Sequence, residues 1–420
     1  MQKLRHLFVA TVSATALLIP ISLSATLPTV SPYNCQGSLK PYPAPETLNT
    51  YPDSLTPVFI NHVGRHGARY PAGSAHALGL MKLLNRADSL KTITPLGRQL
   101  KAITAEVIKQ STGRWGALDS LGMAEHRGIA SRMVKTFPSL FKGKNINAIS
   151  SYSPRAMMSM FSFVHEIDDL NNSSEISTLT GRSTSPLMRF FDVNQSYITF
   201  IKDKTWEKPY KEYIKQTIPL DPIYRVVGKR YKFESDDEAR DAALLEYYVL
   251  AGLSAMSMPA DGPRFFTDKE YTALWSCFNL RQYLQRTSTS VSTIPADIAS
   301  PLLQDLIVST DLFIMKPAER TTTVQLRFGH AETLMPLLSL MKVPGCNYYT
   351  DNFESVAQNW QDFYVVPMAA NLQMILFQAQ KSGKYYVATL LNEHPVNLVP
   401  GQPTIIPWDI AREYLVKCIR

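Results

Sequence analysis

Cysteine is scarce in this chain, four residues in 420, and neither an internal repeat nor a low-complexity tract is visible. The spacings of Cys35, Cys277, Cys346 and Cys418 do not suit zinc, and no H-E-x-x-H run is present, so the common zinc frameworks are excluded. Nucleic acid is not an expected partner, because no recognition motif accompanies the basic charge. Long apolar runs are lacking as well: beyond Leu7 to Leu23, no stretch reads as able to cross a bilayer. That first run follows Lys3 and Arg5, is broken by Pro20 and ends at Ser24-Ala25, which reads as an export signal spanning residues 1–25 and not as an anchor. With no cysteine at the cut, a lipoprotein is disfavoured. The expectation is a periplasmic or secreted protein with no stable membrane association after cleavage. In such compartments the four cysteines are permitted to form disulfides, and the sequence does not choose among the three pairings.

What is present is a 45% hydrophobic chain, enough for a large core or two domains. Lysine and arginine number 43 against 35 acidic residues, a formal charge of +8, and loss of Lys3 and Arg5 with the leader leaves about +6. A positive excess suits an anionic substrate, although a merely soluble basic surface has the same composition.

The most informative stretch is Arg65-His66-Gly67-Ala68-Arg69-Tyr70-Pro71, which follows the strand-like run Pro57 to Val63. A strand ending in a glycine-flanked turn presents its next residues at the carboxyl edge of a sheet, where open α/β folds keep ligands. Arg65 and Arg69 offer planar, permanently charged forks matched to phosphate oxygens, and His66 between them supplies a nitrogen able to attack phosphorus. Neighbouring cations also favour the neutral, nucleophilic imidazole. A basic loop whose histidine merely caps a turn is the bland alternative, and a bare Arg-His-Gly triplet would not exclude it. The full R-H-G-x-R-x-P pattern resembles the histidine acid phosphatases, a clade of the histidine phosphatases. The resemblance implies that His66 becomes a phosphohistidine, that Arg65 and Arg69 bind the transferred phosphate, and that a second, distant histidine is required.

Along the chain, helices are predicted over 75–86, from the Thr94-Pro95 cap to about Gln110, and over 123–136. Asn145 to Tyr152 reads as a strand, and Ser153-Pro154-Arg155 opens a helix whose free amides favour anions. The run Ser153 to Ser159 resembles the family segment that carries a third phosphate-binding arginine, which assigns that role to Arg155. From Glu166 to Pro317 the texture is helical, with capping-box patterns at Ser235–Glu238 and Thr267–Glu270. Lys202, Lys204, Lys208, Lys211, Lys215, Arg225, Lys229, Arg230 and Lys232 cluster there, mostly as a solvated face, with some expected at the entrance for a charged substrate.

The strand pattern returns over 321–328 and leads into Gly329-His330-Ala331-Glu332-Thr333. His330 is the second histidine, and Glu332 is the only carboxylate of that segment and the expected proton donor to the departing oxygen. The His-Ala-Glu form resembles the multiple inositol-polyphosphate phosphatases, where many other members of the clade carry His-Asp. The likeness extends from about Pro57 to Glu393, through Ser185–Asp192, Pro367–Leu372 and Leu390–Glu393. Ser382-Gly383-Lys384 reads as a hairpin turn, and 408–417 as a final helix.

The fold expected is therefore α/β: a three-layer core around a mostly parallel sheet, built from residues 26–165 and 318–420, with a helical insertion domain over 166–317 capping the substrate. The mechanism expected is phosphomonoester hydrolysis with His66 as nucleophile, Glu332 as proton donor, and Arg65, Arg69, Arg155 and His330 holding the phosphate. The resemblance points to inositol polyphosphates as substrates, with no metal and no cofactor. A broad acid or sugar-phosphate phosphatase is the alternative, and a non-catalytic phosphate-binding protein a remoter one that would have no use for Glu332. A monomer is expected. Asn171, Asn172 and Asn194 start N-x-S patterns that matter only where glycosylation exists.

Overall fold

The computed structural model describes residues 27–316 and 322–419, so the segment read as an export signal lies outside the described residues. Among the described residues eight strands form one sheet: β1 (Leu55–Arg65), β2 (Asn145–Ser150), β3 (Glu175–Thr180), β4 (Thr322–Gly329), β5 (Asn371–Ala379), β6 (Tyr385–Leu391), β7 (His394–Val396) and β8 (Ile405–Pro407). Their order in space is β3-β2-β4-β1-β5-β6-β7, with β8 also paired to β6. β1 to β4 run parallel, while β5 to β8 continue the sheet by antiparallel pairing.

β1 is buried from Phe59 to Arg65 because both of its faces are covered, which is why it reads as a nearly unbroken apolar run. Its side chains still alternate: Phe59 and Val63 join the core on one face, Ile60 the core on the other. On the Ile60 side lie α3 (Ser120–Thr136) and α4 (Pro154–Leu170), packed through Ile129, Met133, Phe163 and Ile167. On the opposite side lie α1 (Ala75–Ser89), α2 (Pro95–Ser111) and the helices that follow β3. These later helices share one continuous apolar core with that face of the sheet.

Local signals explain most boundaries. Thr94 accepts a hydrogen bond from the Gly97 amide at 3.0 Å with Pro95 at the first helical position, so α2 starts where the cap predicts. α3 begins before the expected Met123 because Asp119 caps it, accepting from the Leu121 amide at 2.9 Å. Thr267 and Glu270 form a reciprocal capping box, whereas Glu238 reaches back to the Glu234 amide and not to that of Ser235. Gly383, at φ +68°, turns β5 into β6.

Three expectations are corrected. β3 lies within the stretch read as a helical insertion without convincing buried strands, yet pairs with β2 at the sheet edge; its largely exposed residues give no apolar alternation to read. The run Ile294–Met315 is long and apolar enough to cross a membrane by length and composition, contrary to the sequence reading. Its Leu302, Leu303, Leu306 and Ile307 instead pack into the core beside β1, where Asn61 donates to the Leu306 carbonyl and the Thr310 hydroxyl. Finally, the four cysteines are all buried and no disulfide joins them; they lie on separate elements and serve as packing groups.

Candidate active site

Parallel pairing brings three strand ends to one edge. Arg65 at the end of β1 lies opposite Gly329 of β4, and Ser150 of β2 lies opposite Phe328, so the residues that follow, His66, Ser151 and His330, emerge side by side. The antiparallel neighbour β5 starts at the same edge. Its preceding turn ties down the first motif: Arg65 N–H donates to Ala370 O at 2.8 Å, and Ala369 N–H to His66 O at 3.0 Å. Ala369 adopts a left-handed φ of +53° to do so.

The His66 ring is set by its own loop. Nδ1 lies 2.9 Å from the Gly67 carbonyl, which can only accept, so Nδ1 carries the proton and Nε2 keeps its lone pair. Burial first, then Arg65, Arg155 and Arg69, hold its pKa well below the ordinary histidine value, so the ring is neutral. The loop is clamped by α3 and α4: the Gly67 amide donates to Ser159 Oγ at 3.1 Å and the Ala68 amide to Glu125 Oε2 at 2.7 Å. A Cβ at position 67 would stand 2.5 Å from the Gly122 carbonyl oxygen, so this close approach requires glycine.

Around His66 stand three guanidinium groups. Arg65 donates through Nη1 to the Ser38 and Val366 carbonyls, both at 2.6 Å, and Arg69 through Nη1 to Tyr70 O at 2.8 Å. Arg155 is placed by the first turn of α4. The Nε groups of Arg65, Arg69 and Arg155 are buried with no acceptor, an arrangement that an anion would satisfy. Burial, opposed by Glu332 but reinforced by Arg155, lowers Arg65 to about 10; burial with Arg65 and Arg155 lowers Arg69 to about 9. Both remain charged in acid and neutral solution.

His330 lies with its ring centroid 5.5 Å from that of His66. Its Nε2 is 2.9 Å from Arg189 Nη1 and 2.8 Å from Ser151 Oγ. Arg189 at Nε2 and Arg155 Nη2, 3.4 Å from Nδ1, can both only donate; the shorter contact makes Nε2 the acceptor and puts the proton of neutral His330 on Nδ1. Two donors approaching each other in this way favour an acceptor oxygen between them. Burial, then Arg155, lowers the pKa of His330 to about 3, with Glu332 opposing.

Glu332 and all three guanidinium groups line a cavity of about 360 Å³. The far wall is helical: Arg281, Gln282, Gln285 and Arg286 from the Asp268–Arg286 helix, with His76 stacked on Tyr248 at 4.3 Å beside them. Arg286 Nη2 donates to Glu332 Oε1 at 2.9 Å. Burial favours the protonated acid, but Arg286, through its charge and its hydrogen bond, outweighs it and holds Glu332 well below the usual carboxylate range. The resting carboxyl is thus an anion.

All six residues expected from the sequence, Arg65, His66, Arg69, Arg155, His330 and Glu332, are brought together here. Arg189 and Arg286 were missed. Arg189 lies in the expected stretch Ser185–Asp192, between two short helical turns, but nothing local marks it out. The spacing 281, 282, 285, 286 puts one polar face on a clearly capped helix, a signal that was available. None of the insert lysines and arginines singled out from the sequence lines this cavity; Lys204, Lys208, Lys211 and Lys215 border a separate surface groove, several of them paired with Glu207 or Asp237. His62, on β1 before the motif, packs between Phe163 and Phe328.

The sequence profile of the histidine phosphatase superfamily (branch 2) matches residues 164–392, more than half of the chain and including His330 and Glu332. The chain belongs to this superfamily. Among relatives of this histidine phosphatase, multiple inositol polyphosphate phosphatase 1 from Homo sapiens is 26% identical over 417 residues, covering 92% of this chain and 83% of the relative. The Gallus gallus protein of the same name is 26% identical over 400 residues, covering 90% and 84%. In fold, the histidine phosphatase is similar to the Bifidobacterium longum multiple inositol polyphosphate phosphatase crystallised with inositol hexasulfate, with TM-score 0.75, 17% identity and coverage of 91% of this chain and 97% of that one. It is also similar to the phytase from D. castellii, with TM-score 0.69, 13% identity and coverage of 92% and 85%. The R-H-G-x-R-x-P motif lies outside the matched residues 164–392 and completes the site from the other end of the chain.

Proposed function

We propose that this histidine phosphatase is an exported phosphomonoesterase that hydrolyses inositol polyphosphates, including inositol hexakisphosphate, through a phosphohistidine at His66. The observation that carries the chemistry is the neutral His66 ring, its Nδ1 tied to the Gly67 carbonyl, among three guanidinium groups whose buried Nε donors lack an acceptor. The substrate class is supported by the relatives and by the inositol hexasulfate bound to the fold neighbour.

In the first step Arg65, Arg69, Arg155 and the Nδ1–H of His330 hold the non-bridging oxygens, and Nε2 of His66 attacks phosphorus in line. The ester P–O bond breaks, its electron pair stays on the departing oxygen, and Glu332 supplies the proton. In the second step water attacks the phosphohistidine, Glu332 takes the water proton, and the P–N pair returns to Nε2. Negative charge accumulating on the phosphoryl oxygens meets donors already in place, which is where most of the rate enhancement arises. The helical segment after β3 covers the strand-end edge and acts as the substrate cap.

The test is phosphate release from inositol hexakisphosphate by the purified enzyme at mildly acidic pH in excess chelator, with a simple sugar phosphate alongside. Fast, chelator-resistant release that favours the inositol phosphate is expected. Preference for the simple ester would instead support a broad acid phosphatase.

A further inference from the structure

The proposed mechanism needs Glu332 as an acid, yet the resting site holds it as one half of an ion pair. Its partner, Arg286, ends the Asp268–Arg286 helix on the opposite wall of the cavity. Arg286 is itself held by Gln282 Oε1 at 2.5 Å and Gln285 Oε1 at 3.1 Å, and its buried Nε has no acceptor. This guanidinium pairs with the carboxylate while one of its donors is left without an acceptor among the described residues.

We propose that Arg286 is a positioning residue that keeps Glu332 as its ion-pair partner until a second phosphate of the substrate takes the guanidinium, so that Glu332 is freed to carry a proton only when a polyphosphorylated substrate is bound. This inference rests on Glu332 being the proton donor.

The groups that bear on Glu332 come from every side: Arg65 at the end of β1, Arg69 in the following turn, Arg155 at the start of α4, His330 two residues before it, Tyr197 from the Gln195–Asp203 helix, and Arg286. Any phosphomonoester neutralises Arg65, Arg69 and Arg155, because its reacting phosphate sits among them. A substrate with a single phosphate has no phosphate left for Arg286. A second phosphate on the same substrate does, since Arg286 and Glu332 line one cavity, and a phosphate dianion competes well with a single carboxylate oxygen for a guanidinium fork. Once Arg286 turns to that phosphate, Glu332 loses its strongest cation, takes a proton from solvent and passes it to the ester oxygen as the P–O bond breaks. After the dephosphorylated alcohol leaves with its remaining phosphates, Arg286 returns and Glu332 is again the anion needed to accept the water proton. The ion pair thereby selects for substrates with more than one phosphate through turnover as well as through affinity.

The experiment compares kcat against pH for inositol hexakisphosphate, glycerol 2-phosphate and an aryl phosphate, in the wild-type enzyme and in Arg286→Gln, Arg286→Lys and Glu332→Gln. In the wild type the basic limb for the hexakisphosphate should lie about one pH unit or more above that for glycerol 2-phosphate, equivalent to about tenfold in the protonated fraction. Arg286→Gln should raise the glycerol phosphate limb to meet it and increase kcat on that ester several-fold, while aryl phosphate, whose leaving group departs without a proton, changes little. Arg286→Lys should restore the separation. If Arg286→Gln lowers kcat on all three substrates alike with unmoved limbs, the proposal is overturned. Glu332→Gln reports separately: a loss no larger on glycerol phosphate than on aryl phosphate would remove the proton-donor reading beneath it.

Discussion

Two pairs of buried histidines lie along and beyond one strand of this enzyme, and they differ in their partners. His62 and His66 are four residues apart on and just beyond β1; His62 is paired with His126 of α3, and His66 with His330 after β4. Burial does not distinguish them, with exposures of 0% for His62 and His126, 3% for His66 and 1% for His330. Nor does the direction of the pKa shift: burial first, then His126 and Arg327, lowers His62 to about 3, and burial, slightly opposed by the Arg65 main chain, lowers His126 to about 3. The difference is in partners. Among the described residues neither ring nitrogen of His62 has a hydrogen-bond partner, His126 has at most the Arg65 main chain, and Phe163 and Phe328 surround both rings. His66 and His330 each have one nitrogen assigned by a specific neighbour, Nδ1 of His66 by the Gly67 carbonyl and Nε2 of His330 by Arg189 and Ser151. A depressed histidine pKa alone therefore marks burial, and only the pattern of donors and acceptors marks a site.

The sharpest way to break the comparison is to remove one member of the reactive pair. His66→Ala should reduce turnover by at least about a thousandfold, since a covalent route has no substitute nucleophile, while phosphate still binds to the guanidinium cluster. Calorimetry of phosphate binding beside the kinetics checks both halves. Full activity in this variant would end the phosphohistidine mechanism.

A smaller effect is expected one residue further out. Arg189→Gln removes the charged donor that fixes Nε2 of His330 as an acceptor, a charge-assisted hydrogen bond worth about 1.5–3 kcal/mol, or about 10–100-fold. The loss should fall on kcat more than on KM. It should also change the chemical shifts of the His330 ring nitrogens as the Nδ1–H form gives way to a mixture. A fall in thermal stability with no tautomer change would make Arg189 merely structural.

The smallest effect on activity, and the clearest on stability, belongs to the apolar pair. A histidine whose folded pKa is depressed binds its proton in the unfolded chain first, so the unfolded state gains protons as pH falls. The stability contribution is whole above the unfolded pKa near 6.5 and is lost between there and the folded value of about 3. Each such group costs about 1.4 kcal/mol per pH unit within that window. His62→Leu should leave kcat within about twofold and flatten the acid side of a plot of Tm against pH. An unchanged acid slope would mean that His62 is already solvated or partnered in the folded protein.

Much of this molecule was legible before its fold was known. The central strands announce themselves as short apolar runs because both faces are covered, and α2 is marked by a cap and a proline that act within one turn. The exposed edge strand β3 gave no such signal, because exposure removes the apolar alternation on which strand reading depends. The membrane-length run 294–315 was overlooked for a related reason: Pro295 and Pro301 divide it in the sequence, yet its apolar face is continuous once it packs beside β1.

The sequence by itself determined which residues gather at the strand ends: Arg65, His66 and Arg69 lie at one strand end, Arg155 opens one helix, and His330 and Glu332 sit in one turn, so local chain geometry nearly suffices to place them. The electrostatic state of Glu332, the tautomer of His330 and the cationic far wall were decided only by the tertiary structure. Arg286 is 46 residues from Glu332, and Arg189 is 141 from His330. No local periodicity can encode which of 43 basic residues will meet one carboxylate, because that choice is made by the packing of the helical segment onto the strand ends.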